Sequence, residues 1–197
     1  ECATELGPEI TERELNSLLD ALEVAQLSDA HLEIGTAAGG TLCRLIQFYK
    51  EKGTGPAFMV VDPMQYFPNQ FEIVGRNLKE NGIDPEEIKF LKSSSAEAFR
   101  AQASNPPSLD FILVDGNHKI RYVTEDLRWA RFLKPGGLLC LHDYAPRFPG
   151  VYLSVARFLR KHANYEIFSQ TETLLILKKT RPSKSLEISC MDQFWAT

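Results

Sequence analysis

Short apolar runs alternate five times with segments of helical period, and this alternation leaves few folds open. The runs fall at residues 31–34, 58–61, 88–91, 111–114 and 138–141. The second, Phe58-Met59-Val60-Val61, is apolar without a break, as in a strand covered on both faces. Helices are expected over 41–52, 69–81, 95–103, 122–132 and 152–162; on the first of these Leu42, Leu45, Ile46 and Tyr49 share one face. Five strand–helix units imply a parallel sheet with right-handed crossovers and helices on both sides. Two last strands, 165–169 and 173–178, are separated only by a few polar residues around Gln170, Thr171 and Glu172. So short a connection forces an antiparallel hairpin. The expected class is therefore α/β: a doubly wound, mostly parallel sheet closed by a C-terminal hairpin.

A helix over 11–26 precedes the sheet, with Leu15, Leu18, Leu19 and Leu22 at helical spacing and Thr11 with Glu14 as a capping box. Pro135-Gly136-Gly137 is expected to turn the chain before the fifth strand. Residues 1–180 are read as one domain, 1–28 being its helical N-terminal segment. The remainder, 181–197, has no periodicity and is expected to wrap the surface or pair with a partner, so a homo-oligomer stays open.

With 197 residues the chain suffices for one full domain. Its net charge is −4 and it has no basic run, which argues against a nucleic-acid partner. No apolar stretch reaches the length of a bilayer span, and Glu1-Cys2-Ala3-Thr4 carries neither an initiator methionine nor a signal pattern. It reads as a piece cut from a longer chain. The four cysteines, Cys2, Cys43, Cys140 and Cys190, form no CxxC pair. Reduced thiols in a cytoplasmic protein are expected, with a Cys2–Cys190 bridge as the alternative.

Ligands of a doubly wound sheet bind outside the carboxyl ends of its strands, beside the first strand. Three loops there are informative. Leu32-Glu33-Ile34-Gly35-Thr36-Ala37-Ala38-Gly39-Gly40 lets the backbone turn tightly and offers helix-start amides to a ligand. Ala37 stands where GxGxxG needs its second glycine, so a dinucleotide is disfavoured. Asp62, ending the second strand, is placed to accept bonds from ribose hydroxyls, or simply to end the strand in an Asp-Pro turn. Ser94 and Ser95 can line an adenine pocket or cap the next helix.

These loops resemble the class I S-adenosylmethionine-dependent methyltransferases, whose Rossmann-like fold also ends in an antiparallel hairpin. The likeness spans residues 32–178, although Ser94 stands where many members have aspartate. It implies S-adenosylmethionine as cofactor, held at Glu33, Gly35, Gly39, Gly40, Asp62, Ser94, Ser95 and Asp115.

Residues 109–118, LDFILVDGNH, and 133–144, LKPGGLLCLHDY, resemble the small-molecule O-methyltransferases of the macrocin type and, more distantly, the catechol O-methyltransferases. The resemblance implies a divalent cation between Asp115 and Asp143, with His142 as a further ligand. Neighbouring strand ends lie close, and two carboxylates suit Mg²⁺ or another divalent cation; the alternative is that Asp115 only orients substrate. His118 takes the position of the catechol group's catalytic lysine, and an imidazole is a sensible base for a hydroxyl proton at neutral pH. Lys119, next door, can share that role; Ile120 and Arg121 depart from the macrocin pattern. Tyr66, Phe67, Phe71, Tyr144, Phe148 and Tyr152, interleaved with prolines, can cap the pocket of a sugar-like or aromatic small-molecule acceptor, or serve as core packing. A non-catalytic binding module and, third, an NAD-dependent oxidoreductase remain as alternatives.

Overall fold

A computed structural model describes residues 9–183. Helix α1 (Glu12–Ala25) starts at Thr11, whose hydroxyl accepts from the Glu14 amide while the Glu14 carboxylate accepts from the Thr11 amide. Leu15, Leu18, Ala21 and Leu22 form its buried stripe. Then follow β1 (Ala30–Ile34), α2 (Gly40–Glu51), β2 (Phe58–Val61), α3 (Gln70–Glu80), β3 (Ile88–Leu91), α4 (Ser95–Gln102) and β4 (Leu109–Val114). The chain continues through α5 (Ile120–Leu127), β5 (Leu133–Leu141), α6 (Pro149–Lys161), β6 (Tyr165–Thr171) and β7 (Leu174–Lys179).

One seven-stranded sheet runs in the order β3-β2-β1-β4-β5-β7-β6. Strands β1 to β5 pair in parallel; β7 is antiparallel to both β5 and β6. The chain leaves the centre at β1, builds outwards to β3, then returns to β4. The crevice of such a sheet lies between β1 and β4.

Alternating side chains feed two cores. Val60, Phe111, Leu113 and Cys140 face the side covered by α1, α2 and α3. Leu32, Ile34, Ile112, Val114 and Leu141 face α4, α5 and α6. Both faces being dry explains why these strands read as unbroken apolar runs.

Two local readings change. Pro135-Gly136-Gly137 does not precede the fifth strand but bulges out of it: Leu133 pairs with Leu109, and pairing resumes at Leu138 with Phe111. Gly136 takes φ +87°, and a Cβ on Gly137 would lie 2.7 Å from the Asp110 carbonyl oxygen. The helix expected over 122–132 begins earlier, at Ile120, and tightens into a 3-10 turn at Arg128–Arg131, where Trp129 is fully buried.

Cys43 and Cys140 are free, buried thiols; Cys2, Cys190 and residues 184–197 lie outside the described residues. Among the described residues no helix is long and apolar enough to cross a membrane.

Candidate active site

The glycine loop after β1 is held against the tip of β4. Gly35 has φ +83°, and a Cβ there would sit 2.4 Å from the Asp115 carbonyl oxygen. Only glycine satisfies both demands. Asp115 N–H donates to the Ile34 carbonyl at 2.9 Å. Gly39, at φ +87°, ends the loop as the N-cap of α2, which starts at Gly40.

Three polar side chains fix this loop from the β2–α3 side. Asp62 is buried and accepts from the Thr36 amide at 3.0 Å, the Met64 amide at 2.6 Å and Gln70 Nε2 at 3.3 Å. Gln70 Nε2 also donates to the Ala37 carbonyl, and Asn77 Nδ2 to that of Ala38, each at 3.0 Å. Gln70 and Asn77 were not singled out in the sequence; the available signal is two amides on the inner face of an amphipathic helix.

Beneath the loop opens a cleft of about 280 Å³, lined among others by Glu9, Glu33, Gly35, Thr36, Tyr66 and Asp115. Glu33 is 4% exposed, and its Oε2 has no hydrogen-bond partner. Burial, reinforced by Asp115, Asp62 and Glu9, pushes its carboxyl up to about 8. It is therefore largely protonated at neutral pH. Burial, followed by Asp115, also raises Glu9, a residue the sequence did not single out. A buried carboxyl oxygen without a partner, beside Asp115, suits a ligand that brings a hydrogen-bonding group or a positive charge to it.

Ser94 and Ser95 sit at the start of α4. Ser94 caps it, donating to Glu97 Oε2 at 2.6 Å and accepting from the Glu97 amide. Ser95 Oγ accepts from Trp129 Nε1 at 3.0 Å and bonds the buried Asp126, whose carboxyl burial pushes up to about 7. Both hydroxyls thus already have partners within the protein.

At the ends of β4 and β5 the acids and imidazoles converge. His142 Nδ1 lies 2.9 Å from Asp115 Oδ1 and 3.4 Å from Asp143 Oδ2. His118 Nε2 lies 2.9 Å from the same Asp143 Oδ2. Asp143 adopts φ +56°, a left-handed conformation uncommon outside glycine and found mainly where the surroundings enforce it. His142 is half-buried, and the desolvation opposes its charging; the bonds to Asp115 and Asp143 outweigh this and raise it to about 10. Asp143 falls below the usual carboxylate range: burial works against this, and His142 prevails.

The cluster has a third acid, from α1. Glu14 Oε2 faces His142 Nε2 at 3.4 Å. Its other oxygen accepts from the Thr173 amide at 2.8 Å and the Thr173 hydroxyl at 2.7 Å. Burial favours the neutral form, but bonds from Thr173 and Thr11 overcome it and bring the carboxyl down to about 2. The sequence revealed Glu14 only as a capping residue.

One ligand atom each from Asp115, His142 and Asp143 can be chosen so that all lie within 4.8 Å of one another. Two carboxylates and an imidazole form a donor set that fits a divalent cation.

His118 is also shaped from behind. A Cβ on Gly150, at the start of α6, would approach the His118 carbonyl oxygen to 1.9 Å. Phe148 meets the His118 ring edge-on at 5.0 Å, and Tyr144 stacks on Tyr152 at 5.1 Å. Phe71 instead packs on Phe90. Lys119 is exposed, serves as the N-cap of α5 and lies outside the cluster. Asp115 lines both the cleft and the hollow beside His118 and His142.

A family model described as a methyltransferase domain matches residues 32–144, more than half of the chain. Similar solved structures include CalS11, a TDP-rhamnose 3'-O-methyltransferase of calicheamicin biosynthesis. It is 15% identical with a TM-score of 0.64, over 84% of this chain and 78% of that one. A putative caffeoyl-CoA O-methyltransferase from Staphylococcus aureus is 14% identical with a TM-score of 0.68, over 88% and 86%. An O-methyltransferase from Bacillus cereus in complex with SAH is 12% identical with a TM-score of 0.66, over 89% and 84%. At these identities the likeness is one of fold. No curated protein matches the sequence.

Proposed function

The chain belongs to the methyltransferase-domain family, and on that premise we propose that it transfers a methyl group from S-adenosylmethionine to a hydroxyl of a small molecule. One observation carries the reading: Asp115 joins the cleft holding the orphaned Glu33 oxygen to the cluster holding His118. A cofactor site and a base then meet at one carboxylate.

S-adenosylmethionine supplies an electrophilic methyl carried on a sulfonium. Asp115 borders its site with a carboxylate, and a ligand cation would draw the neutral Glu33 and the raised Glu9 towards their charged forms, while Gly35, Gly39 and Gly40 let the backbone approach. Asp62 holds the loop by the Thr36 amide. His118 Nδ1 takes the proton of the acceptor hydroxyl, its Nε2–H being turned to Asp143, and the oxygen's electron pair forms the new bond to carbon. The carbon–sulfur pair returns to sulfur, leaving a neutral thioether. Asp143 accepts from His118 Nε2–H and so orients the ring. Asp115, His142 and Asp143 would hold a divalent cation, which acidifies a hydroxyl bound to it. Phe148 packs edge-on against His118, and it and the stacked Tyr144 and Tyr152 offer aromatic surface that suits a sugar-like or aromatic acceptor.

Calorimetric titration with S-adenosylmethionine, S-adenosylhomocysteine and NAD, followed by transfer of labelled methyl to a panel of hydroxyl acceptors, tests the reading. Both adenosyl ligands should bind and NAD should not. His118→Ala should lower turnover by roughly a hundredfold or more while leaving S-adenosylhomocysteine affinity intact. Failure to bind either adenosyl ligand overturns the proposal. Binding without transfer to any acceptor points to a binding module instead.

A further inference from the structure

Position 142 contributes an imidazole to a ligand set whose other two members, Asp115 and Asp143, are carboxylates, and helix α1, outside the matched family segment, brings a carboxylate up behind that imidazole. We propose that Glu14 is a positioning residue that holds the His142 ring from its Nε2 side, presenting Nδ1 as a nitrogen ligand and biasing the site towards a borderline transition ion over Mg²⁺. The inference rests on the cation included in the proposed function.

Glu14 Oε1 is occupied by the amide and hydroxyl of Thr173, and Oε2 accepts from the Thr11 amide while facing His142 Nε2 at 3.4 Å. Carboxylates face both ring nitrogens, Nδ1 at 2.9 Å and Nε2 at 3.4 Å, and a carboxylate only accepts; a cation between Asp115 and Asp143 would take the place of hydrogen on Nδ1, leaving Nε2–H towards Glu14. The other nitrogen, Nδ1, points between Asp115 Oδ1 and Asp143 Oδ2. A ligating histidine commonly has this arrangement, one nitrogen towards the ion and the opposite N–H towards a carboxylate.

Glu14 is well fixed for the task. It is 1% exposed and tied to both the start of α1 and the β6–β7 turn. The Thr173 carbonyl accepts from the amide of Tyr144, the residue after Asp143, at 2.8 Å. Helix, hairpin and ligand loop are thereby locked together around the imidazole. Oxygen-only sites suit Mg²⁺, which sheds water reluctantly, whereas an imidazole suits Zn²⁺, Co²⁺, Ni²⁺ or Fe²⁺.

Transition ions bind most sites more tightly than Mg²⁺, so the test must compare ratios and read the ligand directly. The full chain is loaded with Mn²⁺, and pulsed electron paramagnetic resonance is used to detect nitrogen coupling. Co²⁺ and Mg²⁺ affinities are measured by calorimetry, with S-adenosylhomocysteine affinity as an independent readout. The wild-type protein should show nitrogen coupling that His142→Glu abolishes, and the Co²⁺-to-Mg²⁺ affinity ratio should fall at least about tenfold in that variant. Glu14→Gln should weaken Co²⁺ binding by roughly 10–100-fold. Thr173→Val, which loosens the same anchorage without touching the Glu14–His142 contact, should not.

Bound Mn²⁺ without nitrogen coupling, or an unchanged ratio in His142→Glu, would overturn the proposal, and the first needs no variant to fold. No cation binding at all, with S-adenosylhomocysteine still bound, overturns the ligand assignment and leaves methyl transfer standing. Loss of the adenosyl ligand in the wild-type protein defeats methyl transfer itself.

Discussion

Replacing Glu33 by glutamine should flatten the alkaline loss of stability, because this carboxyl is held neutral in the fold and charged in the unfolded chain. Its folded pKa is about 8 against an ordinary 4.5. A carboxyl raised on folding makes a contribution that is complete below the unfolded value and lost as pH rises through the folded one. The native state binds the extra proton across that window, so stability falls with pH there. At 1.36 kcal/mol per pKa unit, the loss between pH 5 and 9 is on the order of 3–4 kcal/mol. Glutamine keeps the shape and cannot ionise. Lys179, which burial lowers to about 8, gains stability with rising pH, opposite in sign to Glu33. Asp126, raised to about 7, loses it over an overlapping range. Both are common to the two proteins and cancel in the difference. Urea denaturation of wild type and Glu33→Gln without cofactor, at pH 5, 7 and 9, reads that difference. The gap should shift by several kcal/mol in favour of glutamine as pH rises; a gap constant within about 1 kcal/mol refutes the buried neutral carboxyl.

Gly150→Ala should displace the His118 loop, because the added Cβ meets the His118 carbonyl oxygen at 1.9 Å. Turnover is expected to drop at least about tenfold with S-adenosylhomocysteine affinity unchanged, the pattern of a lost near-attack geometry. Asp62→Ala frees the Thr36 and Met64 amides and Gln70. S-adenosylhomocysteine binding, measured by calorimetry, should weaken by about 1–3 kcal/mol. Gly35→Ala puts a Cβ 2.4 Å from the Asp115 carbonyl oxygen at φ +83°. A thermal melt should show a destabilisation of about 1–3 kcal/mol, with the adenosyl ligand lost.

What was legible in the sequence was local. Thr11 with Glu14 announced a helix start, and the apolar runs announced strands, because both signals live within a few residues of chain. The bulge at Pro135-Gly136-Gly137 was not legible as such. Proline and glycine mark a turn in isolation, and only pairing of Leu133 with Leu109 shows the strand already begun. The short 3-10 turn at Arg128–Arg131 is likewise a tertiary effect, since it accompanies full burial of Trp129 between two elements.

The candidate site divides along the same line. Asp115, His118, His142 and Asp143 follow or end strands whose order a doubly wound sheet fixes, so their meeting could be anticipated from residue type and place. Which oxygen meets which nitrogen could not, because it depends on Asp143 turning to φ +56° and on Gly150 admitting the His118 carbonyl. Glu14 is the sharpest case. Sequence spacing relates it to Thr11 three residues away, and nothing local relates it to Thr173 or His142. Its carboxylate spans the two scales: one oxygen completes the cap on its own helix, while the other is fixed by the hairpin turn. Removing α1 would therefore do more than uncover apolar surface. It would leave His142 with carboxylates at Nδ1 alone and take away the one that faces Nε2.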